Sequence, residues 1–377
     1  MRILMLAFQN AGGGMQVAIS IINEFKKFKS NEYHIIIGER IESQLNGWEF
    51  PDNFKFYSMP LEVTRRSIGG FIKRAKFFSE IENRVNPDCI LTTSGPIYWR
   101  SKSPHLLGFN TPASIYTESP YFQRMPFSEK IKWKVKAMLQ CIFIKRDAEA
   151  YFVQTDDVNK RLRKFINKDN VYTISNTYSN IFKDYKRYPP KLPTRTDQEI
   201  RLLTLSTYYP HKNFEIIMSV VDILKNRGYK NIKFVLTLKD EVYKRIIKQH
   251  YSDYIINVGP LPSLECPSLY EECDFVFLPS LLECFSANYA EGMCMGKPIL
   301  TSDMSFARTV CHDAAIYFNP LDANDIADKI LNLVFSDQII EEMKQKGWKN
   351  MENFGTAEKR AEEILNILNM IRVNVTQ

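Results

Sequence analysis

From the first residues onward, short apolar runs alternate with longer stretches in which apolar residues recur at helical spacing. Apolar runs bounded by polar turns read as buried strands, here at 3–8, 34–37, 54–57, 89–92, 106–109, 151–153 and 171–174. Helical patterns lie between them at about 15–29, 70–84, 128–148 and 156–166. Around 176–196 the rhythm breaks at Tyr188-Pro-Pro-Lys-Leu-Pro, where proline density forbids a helix or an inner strand. The alternation then restarts, with strands at 201–206, 232–237, 254–258, 274–278, 298–301 and 315–318. Helices follow at about 213–227, 240–249, 265–272, 286–295, 323–334 and 336–350. A last helix, about 357–371, carries an apolar face of Ile364, Leu365, Ile367, Leu368 and Ile371. Strand–helix alternation of this kind builds parallel sheets covered by helices. The expected fold class is therefore α/β, two Rossmann-like doubly wound domains facing a central cleft. Domain 1–180 precedes a linker at 181–199 and a second domain at 200–355, with a terminal helix in 356–377 packing back toward the first.

Length and composition agree with two globular domains: 377 residues, 45% hydrophobic and 25% charged. The seven cysteines are scattered, with no Cys-x-x-Cys pair, which speaks against a disulfide framework or a zinc site and for a reducing compartment. The opening Met1-Arg-Ile-Leu-Met-Leu-Ala-Phe is too short for a signal peptide, since polar Gln9-Asn10 follow, and it reads as a first strand. No stretch approaches transmembrane length, so the chain is expected in the cytoplasm. The net charge of +7 conceals an asymmetry: residues 1–195 hold 31 Lys/Arg against 18 Asp/Glu, and the remainder is net acidic. Two halves of opposite sign suggest different partners.

Candidate chemistry concentrates in Asp274-Phe-Val-Phe-Leu-Pro-Ser-Leu-Leu-Glu-Cys-Phe-Ser-Ala-Asn-Tyr-Ala-Glu-Gly-Met-Cys-Met-Gly-Lys-Pro. A buried strand ends at Pro279, and Ser286 stands where a helix takes its N-cap, its hydroxyl able to accept from backbone N–H groups beyond it. A helix amino terminus facing a cleft holds phosphate. Glu291, inside that helix, can accept from a vicinal diol such as ribose, while Glu283 precedes it in the loop. On spacing alone two glutamates carry little, because Glu is common on helices. A second segment, Leu203-Thr-Leu-Ser-Thr-Tyr-Tyr-Pro-His-Lys-Asn-Phe, is a strand, a loop and then Lys212 at the mouth of a helix, a point charge suited to a diphosphate.

Together these segments resemble the retaining GT-B glycosyltransferases of family 4, the bacterial "group 1" enzymes of polysaccharide synthesis. Lys212-Asn213, Pro279-Ser280, Glu283, Phe285, Glu291, Gly296 and Pro298 match in order, with Gly259, Asp303 and the run Ala314–Asp322 as further matches. The resemblance covers 200–335 closely and the front half in outline. It implies that Lys212 binds the donor diphosphate, Glu291 the ribose and Glu283 the transferred sugar, so that Lys212 and Glu283 carry the catalysis. Backbone at Phe285, Ser286 and Ala287 would hold phosphate, with Thr207 and Gly259 completing the donor site. Thr207 stands where the family has Arg, and Cys284 and Ser286 stand where it has Gly. The implied donor is a UDP- or GDP-sugar and the acceptor a saccharide, free or lipid-linked, with no cofactor besides the donor. No Asp-x-Asp occurs, so no metal is implied.

In the front half, Gly12, Gly13 and Gly14 follow the first strand without completing a dinucleotide fingerprint, although Glu39 ends the second strand. They read either as a tight strand-to-helix turn or, by the resemblance, as a wall of the acceptor cleft. The family often has a His after a front-domain strand where this chain has Asn110, another cleft candidate. His105 precedes that strand and reads as structural. Two basic stretches remain. Thr64-Arg-Arg-Ser-Ile-Gly-Gly-Phe-Ile-Lys-Arg-Ala-Lys mixes cations with aromatics, and Lys130, Lys132, Lys134 and Lys136 flank a stripe of Ile131, Val135, Met138, Leu139, Ile142 and Phe143. Such a helix either lies in an anionic bilayer interface or packs its stripe on the core with a solvated basic face, the more ordinary arrangement. No nucleic-acid module accompanies these cations. The competing functions are a GT-B sugar-nucleotide epimerase and a non-catalytic nucleotide-sugar-binding protein, the latter motivated by Thr207 and Asn110.

Overall fold

The computed structural model describes residues 1–8, 12–64 and 67–375. Gln9, the Asn10 and Ala11 that lead into the glycine run, and Arg65 and Arg66 of the first basic stretch lie outside the described residues. The chain forms two compact units. One gathers Met1–Glu118, Arg124–Asn176 and the chain from Gly355 onward; the other gathers Ser119–Gln123 and Thr177–Phe354.

The first unit is built on seven parallel strands: β1 (Arg2–Ala7), β2 (Glu32–Ile37), β3 (Phe54–Ser58), β4 (Cys89–Thr92), β5 (His105–Gly108), β6 (Ala150–Val153) and β7 (Val171–Thr173). Their spatial order is β3-β2-β1-β4-β5-β6-β7. The inner strands β4, β5 and β6 are buried throughout, as parallel strands covered on both faces must be, whereas edge strand β3 exposes Lys55 and Ser58. The helix Ala357–Val375 closes this unit's core with Ala361, Ile364, Leu365, Leu368 and Ile371. Arg360, almost wholly buried, fastens it by donating to Asn176 Oδ1 at 2.5 Å and Ser20 Oγ at 2.7 Å.

The second unit holds β8 (Ile200–Thr204), β9 (Ile232–Leu236), β10 (Ile255–Asn257), β11 (Phe275–Leu278), β12 (Ile299–Ser302) and β13 (Ile316–Phe318). Their order is β10-β9-β8-β11-β12-β13, again all parallel. The proline-rich stretch is fixed to this unit. The backbone N–H groups of Lys191 and Leu192 donate to the Glu272 carboxylate, and Arg195 grips Asp274 through both carboxylate oxygens.

In each sheet the chain reverses direction of growth at one point, between β1 and β4 in the first unit and between β8 and β11 in the second. Sheets of this type bind ligands outside the carboxyl ends of the strands at such switch points. The loop after β8 carries Lys212 and the loop after β11 carries Glu283, so both motif segments issue from the switch point of the second sheet.

Candidate active site

The loop after β8 ends in a single 3-10 turn, Pro210–Lys212, and the helix Ile216–Asn226 begins only after it. Lys212 therefore ends a tight turn rather than standing at a helix mouth. Asn213 makes this possible: it adopts the left-handed conformation at φ 57°, which Asn tolerates better than most residues. Its buried side chain donates to the Pro320 carbonyl at 2.9 Å. Lys212 Nζ then meets Glu283 Oε1 at 2.8 Å, with the two side chains only 16% and 7% exposed. Shielding of this degree makes the pair matter far more than a surface ion pair.

Glu283 is held in a loop whose residues from Pro279 to Cys284 are all buried. The Leu281 N–H donates to the His211 carbonyl at 2.7 Å, joining the two loops backbone to backbone. Ser119, from the short Ser119–Gln123 segment of this unit, donates its hydroxyl to the Leu281 carbonyl at 2.6 Å. Asn288 Nδ2 donates to the Leu205 carbonyl at 2.6 Å, tying the next helix to the end of β8. His211 stacks on Tyr209 at 5.4 Å and meets the edge of Tyr121 at 5.9 Å. Burial, with Lys212 beside it, lowers its imidazole to about 4, so it is neutral at physiological pH.

The helix Ala287–Cys294 opens directly after this loop. Ser286 is its N-cap residue, in extended conformation, but its side chain makes no capping hydrogen bond, contrary to the expectation from its residue type. The first N–H groups of a helix have no partners within it, and the dipole there favours an anion. No acidic side chain occupies the first turn. Gly292 lets this helix lie close on the sheet, since a Cβ there would stand 2.9 Å from Val276 Cγ2. On its other side, Glu291 Oε2 accepts from the Tyr270 hydroxyl at 3.1 Å. Burial lifts the Glu291 carboxyl to about 7, although part of its surface stays open.

Lys212 and Glu283 are thus in contact, and Phe285, Ser286, Ala287 and Glu291 follow on one continuous loop and helix. Phe285 is half-buried, edge-on to Phe354 at 6.4 Å. Thr207 is exposed on the β8 loop. Gly259, just after β10, takes φ 77° with open space beside it. Gly12, Gly13, Gly14 and Asn110 belong to the first unit. The three glycines form the first turn of the helix Gly12–Phe25. Helix begins there earlier than the glycine content suggests because its first turn has few backbone bonds to lose. Asn110 follows β5 and accepts from Ser94 Oγ at 2.5 Å. His105 is the first residue of β5 rather than preceding it. Its Nδ1–H donates to the Asp147 carbonyl and its Nε2 pairs with Thr92, both at 2.8 Å. Glu39 does not end β2 but opens the helix Glu39–Leu45. Residues that the sequence did not single out are His211, Tyr270, Asn288, Gly292 and Ser119. Of these, only His211 carried a signal, its position beside Lys212.

Among the described residues no group of three His, Cys, Asp or Glu gathers to hold a metal ion. A separate groove of about 820 Å³ lies at the opposite, amino-terminal end of the second sheet, beside Arg195, Lys297 and Trp348. Gly296 of the motif lines it, but Lys212, Glu283 and Glu291 do not.

Residues 186–350 match the family model described as "Glycosyl transferases group 1". No curated protein matches the chain. Among solved structures, sucrose-phosphate synthase from Thermosynechococcus elongatus superposes with TM-score 0.74 at 13% identity over 99% of both chains. HepE from Anabaena, in complex with UDP-glucose, gives 0.73 at 14% identity over 98% of this chain and all of that one. A glycosyltransferase from Rickettsia africae gives 0.68 at 16% identity over 98% of both. Likeness at such identities concerns fold, and the sequence match concerns the second unit, where the Lys212–Glu283 pair and Glu291 stand. Residues 186–350 thus match the group 1 glycosyl transferase model, and the whole chain has the two-domain fold of GT-B glycosyltransferases.

Proposed function

We propose that the chain is a retaining glycosyltransferase of the family 4 type, moving a hexose-type sugar from a nucleoside-diphosphate sugar to a saccharide or lipid-linked acceptor in cell-surface polysaccharide synthesis. The observation that carries this reading is the convergence of Lys212, Glu283 and the amino terminus of the helix Ala287–Cys294 at the second sheet's switch point. A donor diphosphate entering there meets an ammonium and a helix amino terminus, the two groups that stabilise charge developing on the leaving phosphate. As the phosphate takes over Lys212, Glu283 is released to accept from hydroxyls of the transferred sugar. Glu291 accepts from the ribose diol deeper along the same helix. UDP-glucose in the Anabaena neighbour supports UDP over GDP as the nucleotide.

The test is a thermal-shift series with UDP-glucose, other UDP-sugars and GDP-sugars, followed by transfer to a saccharide panel with NMR of the product anomer. Stabilisation by a UDP-sugar, and a product of the donor's own anomeric configuration, are expected. An inverted product would overturn the retaining assignment. Unchanged melting with every nucleotide would overturn the donor site itself, and donor turnover without transfer to any acceptor would favour an epimerase.

A further inference from the structure

The helix Phe127–Asp147 of the first unit faces the protein with the line Ala137, Gln140, Ile144 and Asp147. That face is fixed by specific bonds. Ser114 donates to Gln140 at 2.8 Å, Trp133 donates to the Ala113 carbonyl at 3.1 Å, and the Tyr151 hydroxyl donates to the Ile144 carbonyl at 2.7 Å. The helix cannot roll without breaking them. Its apolar stripe is consequently outside: Phe127, Ile131, Val135, Met138, Leu139 and Ile142 are between 45% and 78% exposed. Of the stripe read from the sequence only Phe143 packs inward, half-buried and edge-on to Tyr98 at 5.0 Å; Ile131, Val135, Met138, Leu139 and Ile142 are exposed, contrary to the core-packed arrangement expected for them.

At about 100° per residue these six side chains fall within an arc of roughly 120°, opposite the anchored line. Lys130 and Lys134 border one side of that arc, and Lys132 and Lys136 border the other. Lys145 and Arg146 stand at its carboxyl end. Glu129, already paired with Lys132, is the one exposed acid on the helix. A contiguous apolar strip on a protein surface marks an interaction site. Here its borders decide the partner. A second copy packed on the same strip would set lysine rows against lysine rows. A plane that is apolar at depth and negative at its rim satisfies both parts together, and an anionic bilayer is such a plane.

We propose that the Phe127–Asp147 helix docks the chain on an anionic lipid surface, lying in the interface with its six apolar side chains inserted and the flanking lysines on headgroups. The proposal rests on the first unit alone and is independent of the donor site. The probes are vesicles of phosphatidylcholine with and without phosphatidylglycerol, assayed by co-sedimentation at low and high salt. Two variants are compared with the wild type: Ile131→Ser/Met138→Ser/Ile142→Ser and Lys134→Glu/Lys136→Glu. Exposed positions should leave melting temperature and UDP-glucose affinity unchanged. The expected result is binding to the anionic vesicles only, weakened by salt and at least tenfold by either variant. Absence of vesicle binding, or equal binding by the triple-serine variant, would overturn it. So would a wild-type dimer in sedimentation velocity that the triple variant dissolves without any vesicle binding. UDP-glucose titrations on the same samples keep a failed donor site distinct from a failed docking surface.

Discussion

Glu291→Gln separates the cost of burying this carboxylate from its use. Burial raises Glu291 from 4.5 to about 7, so between those values the folded chain binds more protons than the unfolded one. Stability is then highest below about pH 4.5 and is lost as pH rises to about 7. At ~1.4 kcal/mol per unit the loss amounts to about 3 kcal/mol by pH 8. The figure is an upper one, because part of Glu291 remains open to solvent. Gln keeps an oxygen for the Tyr270 hydroxyl and carries no charge to desolvate. The variant should therefore melt with the wild type near pH 5 and several degrees above it at pH 8, by differential scanning calorimetry. Binding should move the other way. A ribose diol is best held by the ionised carboxylate, and UDP-glucose has no group that titrates between pH 5 and 8. Calorimetric affinity for UDP-glucose should fall as pH drops below 7, approaching tenfold per unit, while the Gln variant binds weakly and with no slope. A pH-independent wild-type affinity, or a Gln variant that gains nothing above pH 7, would refute the reasoning.

Removing Lys212 alone leaves Glu283 charged and shielded, so Lys212→Ala should lose about 3 kcal/mol in urea denaturation. Lys212→Met/Glu283→Gln should recover most of that stability while still failing to bind UDP-glucose, which tells an electrostatic cost from a packing one. Gly292→Ala brings a methyl group against Val276, and is expected to cost about 1–3 kcal/mol and to weaken donor binding by displacing Glu291. Arg360→Ala strips Asn176 and Ser20 of a buried partner, and hydrogen exchange should show the Ala357–Val375 helix opening well before β11 and β12.

All thirteen strands among the described residues were legible in the sequence, because inner parallel strands such as β4, β6 and β11 are short apolar runs and even the edge strand β3 keeps Phe54, Phe56 and Tyr57. The helices that escaped notice are short: Glu39–Leu45, Leu61–Thr64, Pro120–Gln123 and Ser305–Cys311. None spans the two turns that a helical period needs to show itself. Motif spacing brought out Lys212, Glu283 and Glu291 but could not say that the first two touch. Ser119 reaches Leu281 from 162 positions away, and no local pattern encodes such a contact. The Phe127–Asp147 helix shows a different limit. Periodicity reveals that a helix has two faces, but which face turns inward is decided by partners elsewhere, here Ser114 and Ala113.

The return of the Ala357–Val375 helix to the first unit also fixes an order of events during synthesis. Residues through Asn176 leave the ribosome with the face that awaits Ile364, Leu365 and Leu368 still bare. About 180 further residues must be translated before that helix exists, a delay of roughly ten to forty seconds. The first unit to be made is thus the last to be finished. In the interval its exposed apolar face is a natural target for chaperones, and a nascent chain stalled before Gly355 is the form most exposed to aggregation.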